Sequence, residues 1–266
     1  MLKDITLGQY FPGESFLHRL DPRCKIIATL IVIVAIFLAE SLTAYGLLTV
    51  FVAFCFGISH LPMKLVLKSI KPLWVIIVLT MGIHIFTTPG EAIWQWGFLH
   101  ITWEGLRQGA LMTARLVYLI VFSSLLTYTT SPILLTDGIE HLLNPFRRLG
   151  VPAHALAMMM TIALRFIPTL LEETDRIMKA QTARGANFTS GSLIQRGKNM
   201  IPLLVPLFVS AFRRADDLAV AMESRCYRGG MGRTRMHELA YTFRDSIAMT
   251  VVILFTVILG VMRWLV

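Results

Sequence analysis

The chain has 266 residues, of which 55% are hydrophobic and only 15% are charged. Its mean hydropathy of +0.66 is too high for a soluble domain of this size and indicates a polytopic membrane protein. The net charge of +9 does not require a nucleic acid, because basic residues in such proteins are concentrated in cytoplasmic loops. We therefore expect the lipid bilayer, and no nucleic acid, among its partners.

The three cysteines and the N-terminal region exclude two further classes. The cysteines are scattered, odd in number and without CxxC spacing, so neither a disulfide framework nor a zinc site is predicted. Charged residues precede the first apolar run, and no small-residue cleavage site follows a short apolar segment. A cleaved signal peptide is therefore not expected.

Apolar runs long enough for transmembrane helices occur along the chain, since a span needs about 20 mostly apolar residues. The first run continues through Glu40 and is far too long for one span, so two helices with a tight turn at Glu40 are predicted. The predicted spans are residues 26–39, 42–58, 72–88, 106–130 and 247–261.

The charges between the spans predict their orientation. Lys64 and Lys71 follow the second span, which indicates a cytoplasmic loop. Residues 87–105 contain Glu91 and Glu104, no Lys or Arg, and three tryptophans, as expected of an outer loop with an aromatic belt. The predicted protein is multi-pass, with a cytoplasmic N terminus.

Residues 131–245 differ from the rest, because charged residues alternate there with helix-spaced apolar positions. We predict an all-α protein with an N-terminal membrane domain (1–130), cytoplasmic coupling helices (131–245) and a C-terminal transmembrane helix (246–266). A sixth span could lie within residues 151–171, but Arg165 would be costly at the bilayer centre, so an amphipathic helix is preferred there.

Proline and glycine divide the coupling region into three predicted helices. The first begins at Pro132 and ends near residue 148. The second covers residues 153–183, with Gly185 suited to its C-cap, and would be about 45 Å long. The third begins near residue 192 or 202 and ends near residue 226.

Two short segments at the ends of the second and third helices share the form Ala-x-x-small-Arg-small. They are Ala180-Gln181-Thr182-Ala183-Arg184-Gly185 and Ala221-Met222-Glu223-Ser224-Arg225-Cys226. The helix dipole alone favours a C-terminal cation by about 0.3–1 kcal/mol, which offers a purely structural explanation. Two copies with small neighbours favour docking, because such a helix tip can enter a groove and present its guanidinium to a carboxylate. The predicted docking residues are Ala183, Arg184, Gly185, Ser224, Arg225 and Cys226.

A methionine-rich segment of the second helix is a candidate for another contact. It comprises Ala155, Met158, Met159, Met160 and Ala163. These residues would serve equally as core filler, but an apolar, Met-rich surface adapts readily to exchanging partners.

Motifs for catalysis and for cofactor or metal binding are missing from the sequence. No HExxH, GxSxG, GxGxxG or GxxxxGK[ST] pattern occurs, and the adjacent acids Glu172 and Glu173 fit a solvated helix face. His84, inside the third span, is interpreted as a packed residue. We therefore predict no enzyme activity, no cofactor and no metal.

In the order of its motifs, the chain resembles the transmembrane T subunit (EcfT family) of energy-coupling factor (ECF) transporters, which import vitamins and metals in prokaryotes. The family's paired Ala-Arg-Gly motifs map onto the two arginine segments, and the second copy departs from the pattern at both flanks. Further matching segments are His18-Arg19-Leu20-Asp21-Pro22-Arg23-Cys24-Lys25, Thr102-Trp103-Glu104-Gly105-Leu106, Ala163-Leu164-Arg165-Phe166-Ile167-Pro168, Tyr227-Arg228-Gly229-Gly230 and Arg233-Thr234.

The resemblance implies a complex in the prokaryotic cell membrane. Two cytosolic ATP-binding-cassette subunits would bind ATP and receive the arginine-bearing helix tips, while a separate membrane protein, the S component, would capture a vitamin or another micronutrient. The alternative is a permease that itself conducts a solute, which should place polar residues at mid-span. His84 and Arg115 are the main candidates for such residues in the N-terminal spans.

Overall fold

The computed structural model is almost entirely helical and describes residues 10–90, 92–96, 99–186, 188, 192–229 and 239–265. The helices are α1 (Pro22–Leu38), α2 (Leu42–Ser59), α3 (Met63–Ile70), α4 (Trp74–Thr87), α5 (Trp103–Thr129), α6 (Pro132–Leu143), α7 (Ala153–Ala183), α8 (Leu193–Ser224) and α9 (Phe243–Leu265). Strands β1 (Ala92–Trp96) and β2 (Leu99–Thr102) form an antiparallel hairpin. The prediction of an all-α polytopic membrane protein is confirmed.

Five segments among the described residues are long and apolar enough to cross a membrane. They are α2, the stretch from α3 through α4, α5, α7 and α9. Four of them overlap predicted spans. The fifth predicted span corresponds to α1, whose 17 residues rise about 26 Å, less than the roughly 30 Å of a bilayer's hydrocarbon core.

Helix α7 meets the length and composition of a span, although the sequence favoured an amphipathic helix at residues 151–171. The N-terminal half of α7 is apolar enough to meet the hydropathy of a membrane span even though it contains one arginine, Arg165. Arg165 is exposed near the middle of α7 and is the residue that opposes membrane insertion.

The described residues form two compact units. The membrane unit comprises those up to Gly138 together with those from Leu239 onward. The α7–α8 unit comprises those from Ile139 to residue 229. Helix α9 therefore belongs to the same unit as α1 to α5.

Capping residues determine where the first helices begin. Asp21 caps α1 by accepting a hydrogen bond from the amide two residues later, and Pro22 takes the first helical position, where no amide donor is needed. Ser41 Oγ caps α2 by accepting from the Ala44 amide at 3.2 Å. The predicted turn at Glu40 lies between these two helices.

The core of the membrane unit is built from α1, α2, α5 and α9. Val32 and Ile36 of α1 are fully buried in it. The Phe51 ring of α2 stacks on Phe255 of α9 at a centroid distance of 4.0 Å and on Phe122 of α5 at 6.0 Å. Aromatic packing of this kind adds to the stability that burial provides.

A buried polar cluster joins the beginnings of α1 and α9. Asp245 Oδ1 accepts from the Asp21 amide at 2.7 Å, and Oδ2 accepts from the amide and hydroxyl of Thr242 at 2.8 and 2.6 Å. Lys25 Nζ donates to the carbonyl of Thr129, the last residue of α5, at 2.9 Å. Because its oxygens are occupied by donors, the Asp245 carboxylate stabilises the fold.

Residues 87–105, predicted as an outer loop with an aromatic belt, contain the hairpin. Apolar and polar residues alternate in Trp94-Gln95-Trp96 and in Leu99-His100-Ile101-Thr102, which suits paired strands and is a pattern that the sequence analysis missed. After β2, Thr102 caps α5 by accepting from the Gly105 amide at 3.0 Å. Glu91 and the side chains of Trp94 and Trp96 lie outside the described residues.

Candidate partner-docking site

Helices α7 and α8 pack side by side and run antiparallel. About two thirds of the way along each helix, Arg214 of α8 donates to the Glu173 carboxylate of α7. Just beyond the end of α8, the Tyr227 hydroxyl lies 3.4 Å from Nε2 of His154, at the start of α7. Since the 31 residues of α7 rise about 46 Å, the two predicted arginine segments lie far apart, at opposite ends of the pair.

The first arginine segment forms a regular helix end. Arg184 is the C-cap of α7, and Gly185 follows in the left-handed conformation, with φ of +89°. The Ala186 amide donates to the Gln181 carbonyl and the Gly185 amide to the Thr182 carbonyl, both at 3.0 Å. These two bonds define a Schellman motif, in which glycine is favoured because it has no Cβ.

The second arginine segment forms the same motif without a glycine. Arg225 is the C-cap of α8, and Cys226 follows with φ of +57°. The Tyr227 amide donates to the Met222 carbonyl at 3.0 Å and the Cys226 amide to the Glu223 carbonyl at 2.8 Å. The departure from the family pattern therefore changes the residue but leaves the backbone geometry the same.

Both helix tips present a cation that pairs with no residue described by the structure. All six predicted docking residues are exposed. Neither the Arg184 nor the Arg225 guanidinium has an ion pair or hydrogen bond with any other described residue. A free guanidinium on a helix tip can bind a carboxylate through two parallel hydrogen bonds.

The predicted methionine-rich contact is divided between faces of α7. Ala155, Met159 and Ala163 are exposed and, being four residues apart, lie on one face. Met158 is half-buried, whereas Met160 is exposed about 100° around the helix from Met159. The exposed stripe of three residues is the part of the predicted set that one partner surface can contact.

Comparison with known proteins identifies the family. The CbiQ family model, described as cobalt transport protein, matches residues 13–238. The energy-coupling factor transporter transmembrane protein EcfT of Acidaminococcus fermentans is 61% identical over 264 residues, which cover 99% of this chain and 98% of that protein. The chain belongs to the EcfT family. The EcfT proteins of Brevibacillus brevis and Bacillus subtilis are 52% and 47% identical, over 98% and 99% of this chain and 98% and 100% of their own.

The resemblance inferred from the sequence motifs is thereby confirmed, and the chain is a membrane subunit of a transporter. Several of the matching segments have structural roles. Asp21 and Lys25 belong to the buried polar cluster, and Thr102 caps α5. Gly230 and the Arg233-Thr234 pair lie outside the described residues.

Sequence analysis missed a second apolar surface in this EcfT chain, on α8. Val205, Phe208, Val209 and Phe212 are all exposed. Their spacing of three and four residues places them on one face of the helix. That periodicity was the signal that could have revealed the surface, because an amphipathic helix normally buries such a stripe.

Of the two polar residues considered for a solute-conducting permease, His84 lies at a helix end, whereas Arg115 lies near the middle of α5 with its guanidinium bonded to a backbone carbonyl. His84 lies in the last turn of α4. Arg115 of α5 donates through Nη2 to the Ala39 carbonyl, directly after α1, at 2.9 Å. Among the described residues, no group of three His, Cys, Asp or Glu side chains is placed to hold a metal ion.

Proposed function

We propose that the chain is the coupling subunit of an ECF importer for a vitamin or another micronutrient. It links two cytosolic ATPase subunits, which bind and hydrolyse ATP, to a membrane-embedded S component that captures the substrate. The observation that carries this proposal is the pair of arginine caps with the same backbone geometry at opposite ends of α7 and α8.

Two equivalent caps suit two similar ATPase subunits. Each cap offers a guanidinium that no described residue pairs with, next to a small residue that lets the tip enter a groove. The Glu173–Arg214 ion pair joins the two helices about two thirds of the way along each. Movement of the tips on ATP-driven closure of the ATPase pair would therefore be passed along both helices together.

The exposed apolar stripes of α7 and α8 are the proposed contact for the S component. Met159 is 56% exposed and Phe212 68% exposed, although both are apolar residues on long helices. Surfaces of this kind mark sites of protein or membrane interaction. Flexible methionine side chains allow one surface to accept S components of different shape.

Charge reversal at the two caps tests the docking. Arg184→Glu and Arg225→Glu are each expected to weaken co-purification of the ATPase subunits by about tenfold or more, because hydrogen bonds to a charged partner are lost. The double variant is expected to abolish uptake. Arg213→Glu, with the same charge change at an exposed position within α8 away from the cap, should retain ATPase docking.

Two results would contradict the proposal. Normal assembly and uptake by the Arg184→Glu/Arg225→Glu variant would assign the caps to helix stability alone. Solute import by the chain and the ATPase subunits in liposomes without any S component would establish the permease alternative.

A charge on the α7 stripe tests the S-component contact separately. Met159→Glu is expected to reduce exchange and co-purification of S components while ATPase docking is retained, since the caps are unchanged. Thr161→Glu places the same charge on a different face of α7 and should have little effect on either. Equal loss of both partners in the Met159→Glu variant would show that this residue belongs to a structural core.

A further inference from the structure

The membrane unit contains a polar cavity that the coupling function does not use. It has a volume of about 440 Å³, within the range of small-molecule sites, and lies where α1 ends, α2 begins and α5 passes. Its polar lining residues are Glu40, Tyr45, Glu104, Arg107, Gln108 and Arg115.

Two buried groups on residues that line this cavity have no hydrogen-bond partner among the described residues. Tyr45 is only 5% exposed, and its hydroxyl is unpaired. Nε of Arg115 is likewise buried and unpaired, although Nη2 binds the Ala39 carbonyl and the guanidinium carbon lies 5.7 Å from the centroid of the Phe37 ring. Buried polar groups of proteins are normally satisfied, so an acceptor is expected near each of these two donors.

The charges around the cavity favour an anion. Arg107 lines it, is exposed and has no ion pair with any described residue. Of the two acids, Glu40 already pairs with Arg263 at 2.8 Å, and Glu104 also has an interaction within the protein. With the Glu40–Arg263 pair set aside, Glu104, Arg107 and Arg115 leave a net charge of +1 at the cavity.

An apolar groove next to the cavity indicates what carries the anion. Arg263, the partner of Glu40, also lines a shallow groove between the ends of α1 and α9, together with Leu38, Val261 and Trp264. Trp264 is 93% exposed, as is common for tryptophan at a membrane interface. Phosphate with an attached hydrocarbon chain fits this combination, because one part is anionic and the other apolar.

We propose that the cavity binds the phosphate group of a membrane phospholipid. Tyr45, Arg107 and Arg115 donate to the phosphate oxygens, and an acyl chain lies along the groove beside Val261 and Trp264. Bound in this way, the lipid would join the ends of α1, α2, α5 and α9. This inference is independent of the proposed coupling function.

Lipid binding can be measured on the purified full chain in detergent. Phosphatidylglycerol, diacylglycerol without phosphate, and inorganic phosphate are each titrated while the thermal unfolding temperature is recorded. We expect phosphatidylglycerol to raise the unfolding temperature far more than either of the other two. Native mass spectrometry of the same sample should retain one bound phospholipid.

Single substitutions locate the site. Tyr45→Phe removes only the unpaired hydroxyl, and Arg107→Gln removes an exposed charge, so both variants should fold. Each is expected to weaken phosphatidylglycerol binding by about tenfold, as for loss of a hydrogen bond to a charged group. Tyr118→Phe is the matched control, since that hydroxyl pairs with Thr49 at 2.6 Å.

Three results would overturn the proposal. Equal stabilisation by inorganic phosphate would show that the site takes a free anion, and equal stabilisation by diacylglycerol would show that the groove alone binds lipid. Unchanged phosphatidylglycerol binding in both the Tyr45→Phe and Arg107→Gln variants would place any bound lipid elsewhere.

Discussion

The membrane unit and the α7–α8 unit use apolar side chains in opposite ways. In the membrane unit, Ile36, Leu48 and Leu259 are fully buried among neighbouring helices. Helices α7 and α8 have 31 and 32 residues, yet few of their described apolar side chains are buried. Those that are buried are Ala153, Ala157 and Leu203.

The difference shows what each unit requires from its surroundings. Helices packed around a common core gain stability from their own contacts, even when their outer faces meet lipid. Two long helices side by side can cover only one face of each other, so their remaining apolar stripes stay exposed. A partner surface or a bilayer must cover those stripes, which agrees with a chain that acts by contact with other subunits.

Removing one phenylalanine from each unit tests this comparison most directly. Phe51→Ala should lower the free energy of unfolding by about 3–5 kcal/mol, because it removes a side chain that stacks on two other rings. Phe212→Ala should change it by no more than about 0.5 kcal/mol, since that ring is exposed on α8. Unfolding of the purified chain in detergent measures both.

The same two variants should show the reverse order of effects on assembly with the S component, with Phe212→Ala the more harmful. Co-purification of the S component is expected to fall for Phe212→Ala, when the amounts of folded chain are matched. If Phe212→Ala destabilised the isolated chain as much as Phe51→Ala, the α8 stripe would belong to a core and the contrast between the units would fail.

Buried and exposed carboxylates provide a second, smaller contrast. Asp245→Asn should destabilise the membrane unit by about 1–3 kcal/mol. The two carboxylate oxygens together accept three hydrogen bonds from described donors, and the substitution replaces one of these oxygens with an NH₂ group, which cannot accept. Asp216→Asn, at an exposed position of α8, should leave stability nearly unchanged. Thermal unfolding in detergent compares the two, and similar effects would argue against a structural role for the Asp245 cluster.

The features that could be predicted from the sequence depend on local signals. The prediction for the second coupling helix, residues 153–183, matches α7, because Gly150, Pro152 and Gly185 mark its ends. The arginine segments were likewise visible as a repeat. Both depend on residues close together in the chain.

The features that were missed depend on residues far apart or on weak local preferences. Asp245 binds the amide of Asp21 across 224 positions, and the proposed lipid cavity is lined by both Tyr45 and Arg115. No short pattern encodes such pairs. Cys226 is a different case, because its residue type gave no indication that it would adopt the left-handed conformation of Gly185.

Exchanging the residue types at the two caps has the smallest expected effect, but it tests their equivalence most closely. A left-handed conformation costs a non-glycine residue about 1–2 kcal/mol, which is partly offset because glycine is more flexible in the unfolded chain. A Cβ at Gly185 would meet no described atom within 4 Å, so the change in energy there comes from the backbone.

Gly185→Ala should therefore weaken the end of α7, and Cys226→Gly should strengthen the end of α8, each by roughly 0.5 kcal/mol. Exchange of the Ala186 amide should become about twofold faster in the first variant, and that of the Tyr227 amide about twofold slower in the second, because these amides close the two Schellman motifs. If exchange of both amides became faster, or exchange of both became slower, the caps would differ in more than their residue type.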